Sequence, residues 1–412
     1  MTTVVPAAVT PPGTATGRRP GGGREPPPTV STLRQLARPA CYYLASRALV
    51  LSATFVTATV TPALHLRTLG TIFDGRWYLA IAQHGYPHHL YQEGDGSRWA
   101  FFPAFPLVVR SVAVVTGLNL VDAALVAAFV FGLTSALAIW LAVRELCGTR
   151  LANGAVLLYV CCPTAYVLSL AYTEGLFLTS AALCLVALSR RAWVGAGLCA
   201  CVAGLTRNAG AVVVLAVLVT ALPAAWRGPR LRPLVGAALA PLGLASFMAY
   251  GWWAAGTPLA SLSAERFWQG QHFVWFTTPV VAALAAFGQG PFGTTFLPDA
   301  FAAAALLFGF VGLWWLDRMG REPGVLLEPG RTSVPASWWL YTVGALLVAY
   351  SAYFTDSIPR YTMAAFPLFA ALAWRVRDRA LWVVAAGMAV VQVALLVDVL
   401  SAVHPVVDPL VP

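Results

Sequence analysis

Charged residues are scarce in this 412-residue chain, and lysine is absent altogether. Charged residues make up 10% of the positions, whereas hydrophobic residues make up 59% and the mean hydropathy is +0.73. Soluble domains carry about 25% charged residues, so the composition excludes an ordinary soluble protein and predicts a polytopic, all-α membrane protein. The exclusive use of Arg, beside abundant Ala and Gly, indicates a GC-rich genome.

The motifs that hold nucleotides, metals and acyl intermediates are also missing. The sequence contains no Walker loop, no dinucleotide glycine fingerprint and no serine nucleophile elbow. The seven cysteines lie in apolar runs at spacings that fit neither a zinc site nor a redox pair. We therefore expect no cofactor and no metal, although the histidines of "PHH" beside Glu93 and Asp95 leave weak metal binding open.

What the chain does contain is a series of apolar segments, each close to the length that a bilayer requires. Residues 1–38 are rich in Pro, Gly, Thr and Arg and are predicted to form a disordered cytoplasmic tail. Residues 39–412 are predicted to form one transmembrane domain. Its eleven predicted spans are 40–62, 120–143, 151–168, 173–189, 193–206, 208–225, 233–254, 298–316, 336–354, 358–374 and 380–400.

Two of these spans and one further apolar segment allow more than one interpretation. Residues 193–225 are either two short helices or one long helix. Residues 101–117, "FFPAFPLVVRSVAVVTG", contain two prolines and Arg110, and we interpret them as a re-entrant or interfacial element. A full crossing there would invert every segment that follows.

The distribution of arginine supports this topology. The assignment places 18 of the 26 Arg in the tail and the short loops on its side of the membrane, as expected for cytoplasmic segments of a plasma-membrane protein. This bias also explains the net charge of +10 without nucleic acid as a partner. The two long connections, 63–119 and 255–297, then lie outside the cytoplasm. Long ordered loops are commonly functional, so the working face is predicted to be external.

The densest polar cluster, "TIFDGRWYLAIAQHGYP" at 71–87, lies in the first of these loops. Asp74 is suited to cap the helix that follows it, and equally to accept a proton from a hydroxyl group. Candidate substrate-binding residues around it are Arg76, Trp77, Tyr78 and His84.

Three further charged residues are predicted to lie at the same face. Glu174, preceded by Tyr172, either complements a helix dipole or takes part in catalysis. Arg207 lies between two half-length apolar segments, where a phosphate would suit its guanidinium. Arg360, followed by Tyr361, either pairs with Asp356 or provides a second phosphate contact.

These residues fall in motifs that resemble those of one known family. "FDGRWYLAIAQHGYP" resembles the "WDGxWYxxIAxxGY" signature of the PIG-V-type membrane mannosyltransferases, relatives of GPI mannosyltransferase II. "FFPAFPLVVR", "AYTEGLFL", "GLTRNAG" and "IPRYTMAAFPLFAALA" resemble that family's "FFPLYPLLxR", "PYSESLFxL", "ALTRPTG" and "LPRYxLxxFPLFLxLA", in the same order. Two departures are Phe73 in place of Trp and Asn208-Ala209 in place of Pro-Thr.

The resemblance implies a GT-C-type glycosyltransferase with many transmembrane helices and a polyprenyl-phosphate sugar donor. It implies that Asp74 is the catalytic residue, with Glu174, Arg207 and Arg360 as further site residues. The implied reaction transfers a sugar, mannose by this resemblance, to the hydroxyl group of a glycolipid, glycan or protein acceptor outside the cytoplasm, with inversion of the anomeric centre.

Two other classes of function remain open at the level of sequence. A transporter or flippase of lipid-linked sugars would also have many spans with charged residues, and a non-catalytic scaffold could keep the same helices. An enzyme requires Asp74, Arg207 and Arg360 to surround one cavity, whereas scattered positions would favour purely structural roles.

Overall fold

The computed structural model of the chain describes most of residues 30–402. The described ranges are 30–61, 64–226, 228, 231–268, 277–278, 280–281, 284–285, 296–327, 332–352, 354–355 and 357–402. The structure is 79% helical, and its described part contains no β-strand. The all-α prediction is therefore confirmed.

The helices follow one another along the chain with short connections. The first nine α-helices are α1 (Val30–Val60), α2 (Thr68–Thr71), α3 (Asp74–His84), α4 (Ala104–Thr116), α5 (Leu120–Cys147), α6 (Thr149–Cys161), α7 (Glu174–Ser189), α8 (Trp193–Gly204) and α9 (Gly210–Trp226). The others are α10 (Leu231–Leu239), α11 (Leu242–Ala255), α12 (Ala260–Ala264), α13 (Phe296–Arg321), α14 (Ala336–Tyr350), α15 (Ser357–Thr362), α16 (Pro367–Arg375) and α17 (Asp378–Ala402). Short 3-10 helices occupy Arg98–Ala100, Ala165–Ser169 and Glu265–Phe267.

Each of the eleven predicted spans coincides with helix, but several helices are shorter or interrupted. Five segments are long and apolar enough to cross a membrane unaided, namely Arg34–Val60, Leu120–Cys147, Leu231–Ala255, Asp299–Arg321 and Asp378–Ser401. Shorter apolar helices lie between them. The chain is thus a multi-pass membrane protein. Residues 193–225 form two short helices, α8 and α9, joined by a turn at 205–209.

The structure moves the boundary of the predicted disordered tail. Helix α1 begins at Val30, so residues 30–38 are helical and the prediction of disorder is wrong for them. Leu36 packs against the main hydrophobic core, a contact that the composition of the segment could not reveal. Residues 1–29 lie outside the described residues.

The predicted interfacial element is a short helix. Helix α4 has 13 residues, too few to cross a bilayer at 1.5 Å per residue. Phe105 and Val109 are fully buried on one face of α4, whereas Val115 on another is 85% exposed. One face thus packs on the protein while the other remains open to the surroundings.

A buried polar network supports the chain where α6 ends inside the apolar core. The Gln392 side-chain amide of α17 donates to the carbonyl groups of Val160 and Cys162, at the end of α6, where the last carbonyl groups of a helix have no partners within the helix. Arg47 of α1 is 1% exposed and donates to Ser169 at 2.8 Å. Its positive charge lies near the negative end of the α6 dipole, and it holds the 3-10 helix Ala165–Ser169 in place.

Helices α5 and α7 pack so closely that glycine is required at their contact. A Cβ atom on Gly175 would lie 2.7 Å from the backbone nitrogen of Gly132 and 2.8 Å from the carbonyl carbon of Phe131. Both atoms belong to the α5 backbone, which cannot move aside as a flexible side chain could. Because Gly175 follows Glu174, this contact also fixes the start of α7.

We predict that Gly175→Ala lowers the free energy of unfolding by about 1–3 kcal/mol, the usual cost of overpacking. The matched control is Gly387→Ala in α17, where an added Cβ meets nothing within 4 Å. That change should be neutral or stabilising, because Ala is the better helix former. Thermal unfolding of the purified variants in detergent measures both effects, and equal midpoints would contradict the close contact.

Candidate active site

Four charged side chains from distant parts of the sequence meet at one end of the helix bundle. Asp74 is the first residue of α3, and Glu174 is the first residue of α7. Arg207 lies in the turn between α8 and α9, and Arg360 lies in the short helix α15. Asp74 and Glu174 thus occupy helix starts, Arg207 a turn and Arg360 a helix of only six residues, which are places where polar side chains leave an apolar bundle most easily.

Asp74 forms an ion pair rather than a helix cap. Phe73 occupies the N-cap position, and no side chain caps α3 there, so the capping interpretation of Asp74 is wrong. The Asp74 carboxylate oxygen Oδ2 instead accepts a hydrogen bond from Arg360 Nη1 at 2.6 Å. Phe73 has φ 50° and ψ −120°, a conformation that non-glycine residues rarely adopt. The strained residue directs the chain into α3 immediately before the acid.

Glu174 connects the two arginines. Its side chain is 5% exposed, and its Oε1 atom accepts a hydrogen bond from Arg207 Nη1 at 3.1 Å. The same oxygen lies 3.5 Å from Arg360 Nε. The ion pairs therefore run from Arg207 through Glu174 and Arg360 to Asp74. Two acids and two arginines balance in charge, which lowers the cost of taking each of them out of water.

Aromatic rings hold the two guanidinium groups in place. The Tyr361 ring centre is 4.6 Å from the guanidinium carbon of Arg207 and 4.9 Å from that of Arg360. The Tyr172 ring is 5.0 Å from Arg360, and its hydroxyl accepts from the Asp74 backbone N–H at 3.5 Å. Because ring faces attract cations, these contacts keep two like charges near one another.

Two cavities meet at this charge network. The first has a volume of about 290 Å³ and is lined by Tyr78, Glu174, Arg207 and Asn208 among others. The second has a volume of about 400 Å³ and is lined by Arg76, Trp77, Tyr172, Asp95 and Trp268 among others. Both cavities share Asp74, Glu265, Arg360 and Tyr361. A molecule in either cavity can therefore reach Asp74 and Arg360.

The structure brings together all but one of the residues singled out in the sequence. Arg76 pairs with Asp95 at 2.6 Å at the edge of the second cavity, and Trp77 stacks on Phe101 with ring centres 5.8 Å apart. Tyr78 is buried against the same Phe101. His84 is exposed at the end of α3 and lines neither cavity.

Two further predictions concern the pairing of Arg360 with Asp356 and weak metal binding near Glu93 and Asp95. Asp356 lies outside the described residues, so its predicted pairing with Arg360 is not tested. In the described part of the chain, no three His, Cys, Asp or Glu side chains are grouped as metal ligands. Glu93 and Asp95 of the first loop are paired instead with Arg98 and Arg76.

Sequence reasoning missed Glu265, which lines both cavities from the second long connection. Burial raises the pKa of Glu265, and a hydrogen bond from the Asn208 side chain partly opposes that rise. Trp268 follows on the same segment and contacts Trp77 with ring centres 5.2 Å apart. The one signal in the sequence is "AERFW", an acid among aromatic residues in a loop otherwise poor in charge.

Known proteins resemble this chain in fold rather than in sequence. No protein-family model matches it, and no curated protein matches it. The crystal structure of ArnT from Cupriavidus metallidurans bound to undecaprenyl phosphate superposes with a TM-score of 0.52 at 17% identity, covering 89% of this chain. The oligosaccharyltransferase of Archaeoglobus fulgidus superposes with a TM-score of 0.46 at 13% identity, covering 87% of this chain and 56% of that protein.

The likeness to ArnT defines the fold of this chain as that of a GT-C polytopic membrane protein. The chain spans 66% of the length of ArnT. The predicted GT-C architecture is thereby confirmed. Membership of the PIG-V-type family stays a prediction that rests on the sequence motifs.

The ion pairs around Glu174 lead to a stability prediction. Arg207→Met should lower the free energy of unfolding by about 3 kcal/mol, because it leaves a buried carboxylate with a single, more distant partner. Adding Glu174→Gln should recover part of this loss, so that the two changes are non-additive. Thermal unfolding of both single variants and the double variant in detergent measures the coupling. Strictly additive losses would show that the 3.1 Å contact has no energetic weight.

Proposed function

We propose that the protein is a glycosyltransferase that moves a sugar from a polyprenyl-phosphate donor to the hydroxyl group of an acceptor. The sugar is mannose by the family resemblance, and the acceptor is a glycolipid, a glycan or a protein. The observation that carries the proposal is that two cavities meet at the ion pair between Asp74 and Arg360, since both residues line both cavities. A two-substrate transfer requires such a meeting point.

The first cavity is suited to the donor phosphate. It is lined by both Arg207 and Arg360, whereas the second cavity is lined by Arg360 alone of the two. Guanidinium groups bind phosphate through a planar fork of donors. As the bond between sugar and phosphate breaks, negative charge grows on the phosphate oxygens. Two fixed arginines stabilise that charge in a site shielded from water.

Asp74 is the proposed general base. In the structure its carboxylate is neutralised by Arg360 at 2.6 Å. A donor phosphate that takes over this Arg360 contact would leave Asp74 free to accept the proton of the acceptor hydroxyl. The hydroxyl oxygen then attacks the anomeric carbon as the phosphate leaves from the opposite side, which inverts that centre. Glu174 holds both arginines and acts as a positioning residue.

The second cavity is suited to the acceptor. Trp77 and Trp268 form part of its wall, and indole rings offer the flat apolar faces on which sugar rings and lipid-linked glycans pack. Arg76, paired with Asp95, lies at its edge. An acceptor hydroxyl placed here reaches Asp74, which belongs to both cavities.

The arginine distribution supports a site outside the cytoplasm in a plasma-membrane protein. The basic loops lie at the ends of the helices opposite the four charged residues, and such loops remain cytoplasmic. A transporter of lipid-linked sugars would have to present its binding residues to both sides in turn. The grouping of Asp74, Glu174, Arg207 and Arg360 at one end supports the enzyme instead.

The proposed base is tested by Asp74→Asn, which retains the size of the side chain and removes its basicity. Transfer of radiolabelled mannose from polyprenyl-phosphate-mannose in membranes should fall about 10²–10⁴-fold, the usual contribution of a general base. The matched control is Asp122→Asn, because Asp122 also pairs with an arginine, Arg67, but lines neither cavity. Its transfer rate should equal that of the wild type.

Equal rates for Asp74→Asn and the wild type would show that the base lies elsewhere. Absence of transfer by the wild type itself would instead contradict the proposed donor.

The phosphate site is tested separately by binding of bare undecaprenyl phosphate to the purified protein. Arg207→Gln should weaken binding about 10–100-fold, since hydrogen bonds to a charged group are lost. Arg67→Gln is the control, because Arg67 is an exposed arginine that lines neither cavity. Equal weakening by the two variants would indicate general charge attraction rather than a built phosphate site.

A further inference from the structure

Glu265 differs from the other acidic residues of the site in having no arginine partner among the described residues. It lies in the 3-10 helix Glu265–Phe267, in the connection that follows α12, and lines both cavities. Asp74 and Glu174 are each neutralised by arginine. Among the described residues that line these cavities, Glu265 is a carboxylate with no arginine partner. Its charge is therefore available to a ligand.

Glu265 is held by a residue next to the proposed phosphate site. The Asn208 side-chain nitrogen Nδ2 donates to Glu265 Oε1 at 2.8 Å. Asn208 directly follows Arg207 and lines the first cavity but not the second. The contact joins the turn between α8 and α9 to the connection after α12, so the position of Glu265 depends on the segment that carries Arg207.

Asn208 is also one of the two departures from the family motif. The "TRN" of this chain stands where the resembling motif has "TRP". Proline has no side-chain hydrogen-bond donor, so it could not hold Glu265 as Asn208 does. The departure in sequence and the contact with Glu265 thus share one residue, Asn208.

We propose that Glu265 and Asn208 bind the hydroxyl groups of the donor sugar and so determine which sugar the site accepts. This inference rests on the proposed function, because it assumes a sugar-phosphate in the first cavity. A sugar attached to a phosphate on Arg207 lies beside the next residue, Asn208. The carboxylate accepts hydrogen bonds from sugar hydroxyls, and the amide supplies a further donor and acceptor.

The surroundings of Glu265 make it suited to this task. The other charged side chains that line the two cavities form ion pairs with one another, namely Asp74–Arg360, Glu174–Arg207 and Asp95–Arg76. The tyrosines that line the cavities are Tyr78, Tyr172 and Tyr361. Burial raises the pKa of Glu265, so its ionised form is less well solvated than that of an ordinary glutamate. Sugar hydroxyls would supply the hydrogen bonds that water supplies elsewhere.

The test compares two probes on the purified full-length protein: undecaprenyl phosphate and mannosyl-phosphoryl-undecaprenol. Glu265→Gln should weaken binding of the mannosyl lipid about tenfold, because hydrogen bonds to a charged acceptor become bonds to a neutral one. Binding of the bare lipid phosphate should stay the same or strengthen slightly. Removing a negative charge near an anion favours that anion, so weakening for the sugar-bearing lipid alone identifies contacts with the sugar.

Two controls separate this role from a structural one. Glu322→Gln, an exposed change beyond the end of α13, should alter neither affinity. In the wild type, affinity for the mannosyl lipid should fall as the pH falls through the raised pKa of Glu265, because protonation removes the ionised acceptor. The Glu265→Gln variant should lack that fall, whereas a fall retained in this variant would show that a group other than Glu265 titrates.

The outcomes distinguish the inference from the function on which it rests. Equal affinities of Glu265→Gln and wild type for the mannosyl lipid would overturn the role of Glu265 and leave the glycosyltransferase standing. Equal weakening for both lipids would also overturn it, since the effect would then not depend on the sugar. Failure of the wild type to bind either lipid would overturn the donor and the inference together.

Discussion

The contact between Arg360 and Asp74 is the interaction on which the rest of the site depends. It joins residues from opposite halves of the sequence at 2.6 Å, and Arg360 also lies within 3.5 Å of Glu174. A charge left unpaired in such surroundings would cost several kcal/mol. Each helix start must therefore be placed so that all four charges meet. The glycine contact between α5 and α7, which fixes the start of α7, serves this requirement.

The cavities exist because helices end before they have crossed the bundle. Chain breaks after α6, between α8 and α9 and between α14 and α16 lie at the same end as the charged residues. Irregular backbone is tolerated at membrane depth only where the protein supplies its hydrogen bonds. Gln392 does so after α6, because its side-chain amide donates to the carbonyl groups of Val160 and Cys162. The cavities and the buried polar network both arise because the helices are interrupted at this end of the bundle.

The lengths of the apolar runs predicted where most of the helices lie, because apolar length is a direct requirement of the bilayer. The sequence also indicated Asp74, Glu174, Arg207 and Arg360, since charge is conspicuous in an apolar chain. The sequence did not indicate which of these charged residues form ion pairs with one another. The structure pairs Arg360 with Asp74, which lies 286 positions away in the sequence, and no motif indicates that pair.

Glu265 shows the same limit. Its importance arises from the folding of a long connection over the helix ends, and the segment "AERFW" does not indicate the contact of Glu265 with Asn208. The helical segment at 30–38 escaped prediction for a related reason, since it is ordered by packing of Leu36 on the core rather than by its own composition. Both the position of Glu265 and the helical order of residues 30–38 depend on contacts between segments that are distant in sequence.

An experimental structure of the protein with undecaprenyl phosphate bound would show directly whether the charge network holds the donor phosphate. We predict that the phosphate lies between Arg207 and Arg360 in the first cavity, with the Arg360 guanidinium turned from the Asp74 carboxylate toward the phosphate. A phosphate bound away from both arginines, with the contact between Arg360 and Asp74 unchanged, would contradict the claim that this charge network is the site of transfer.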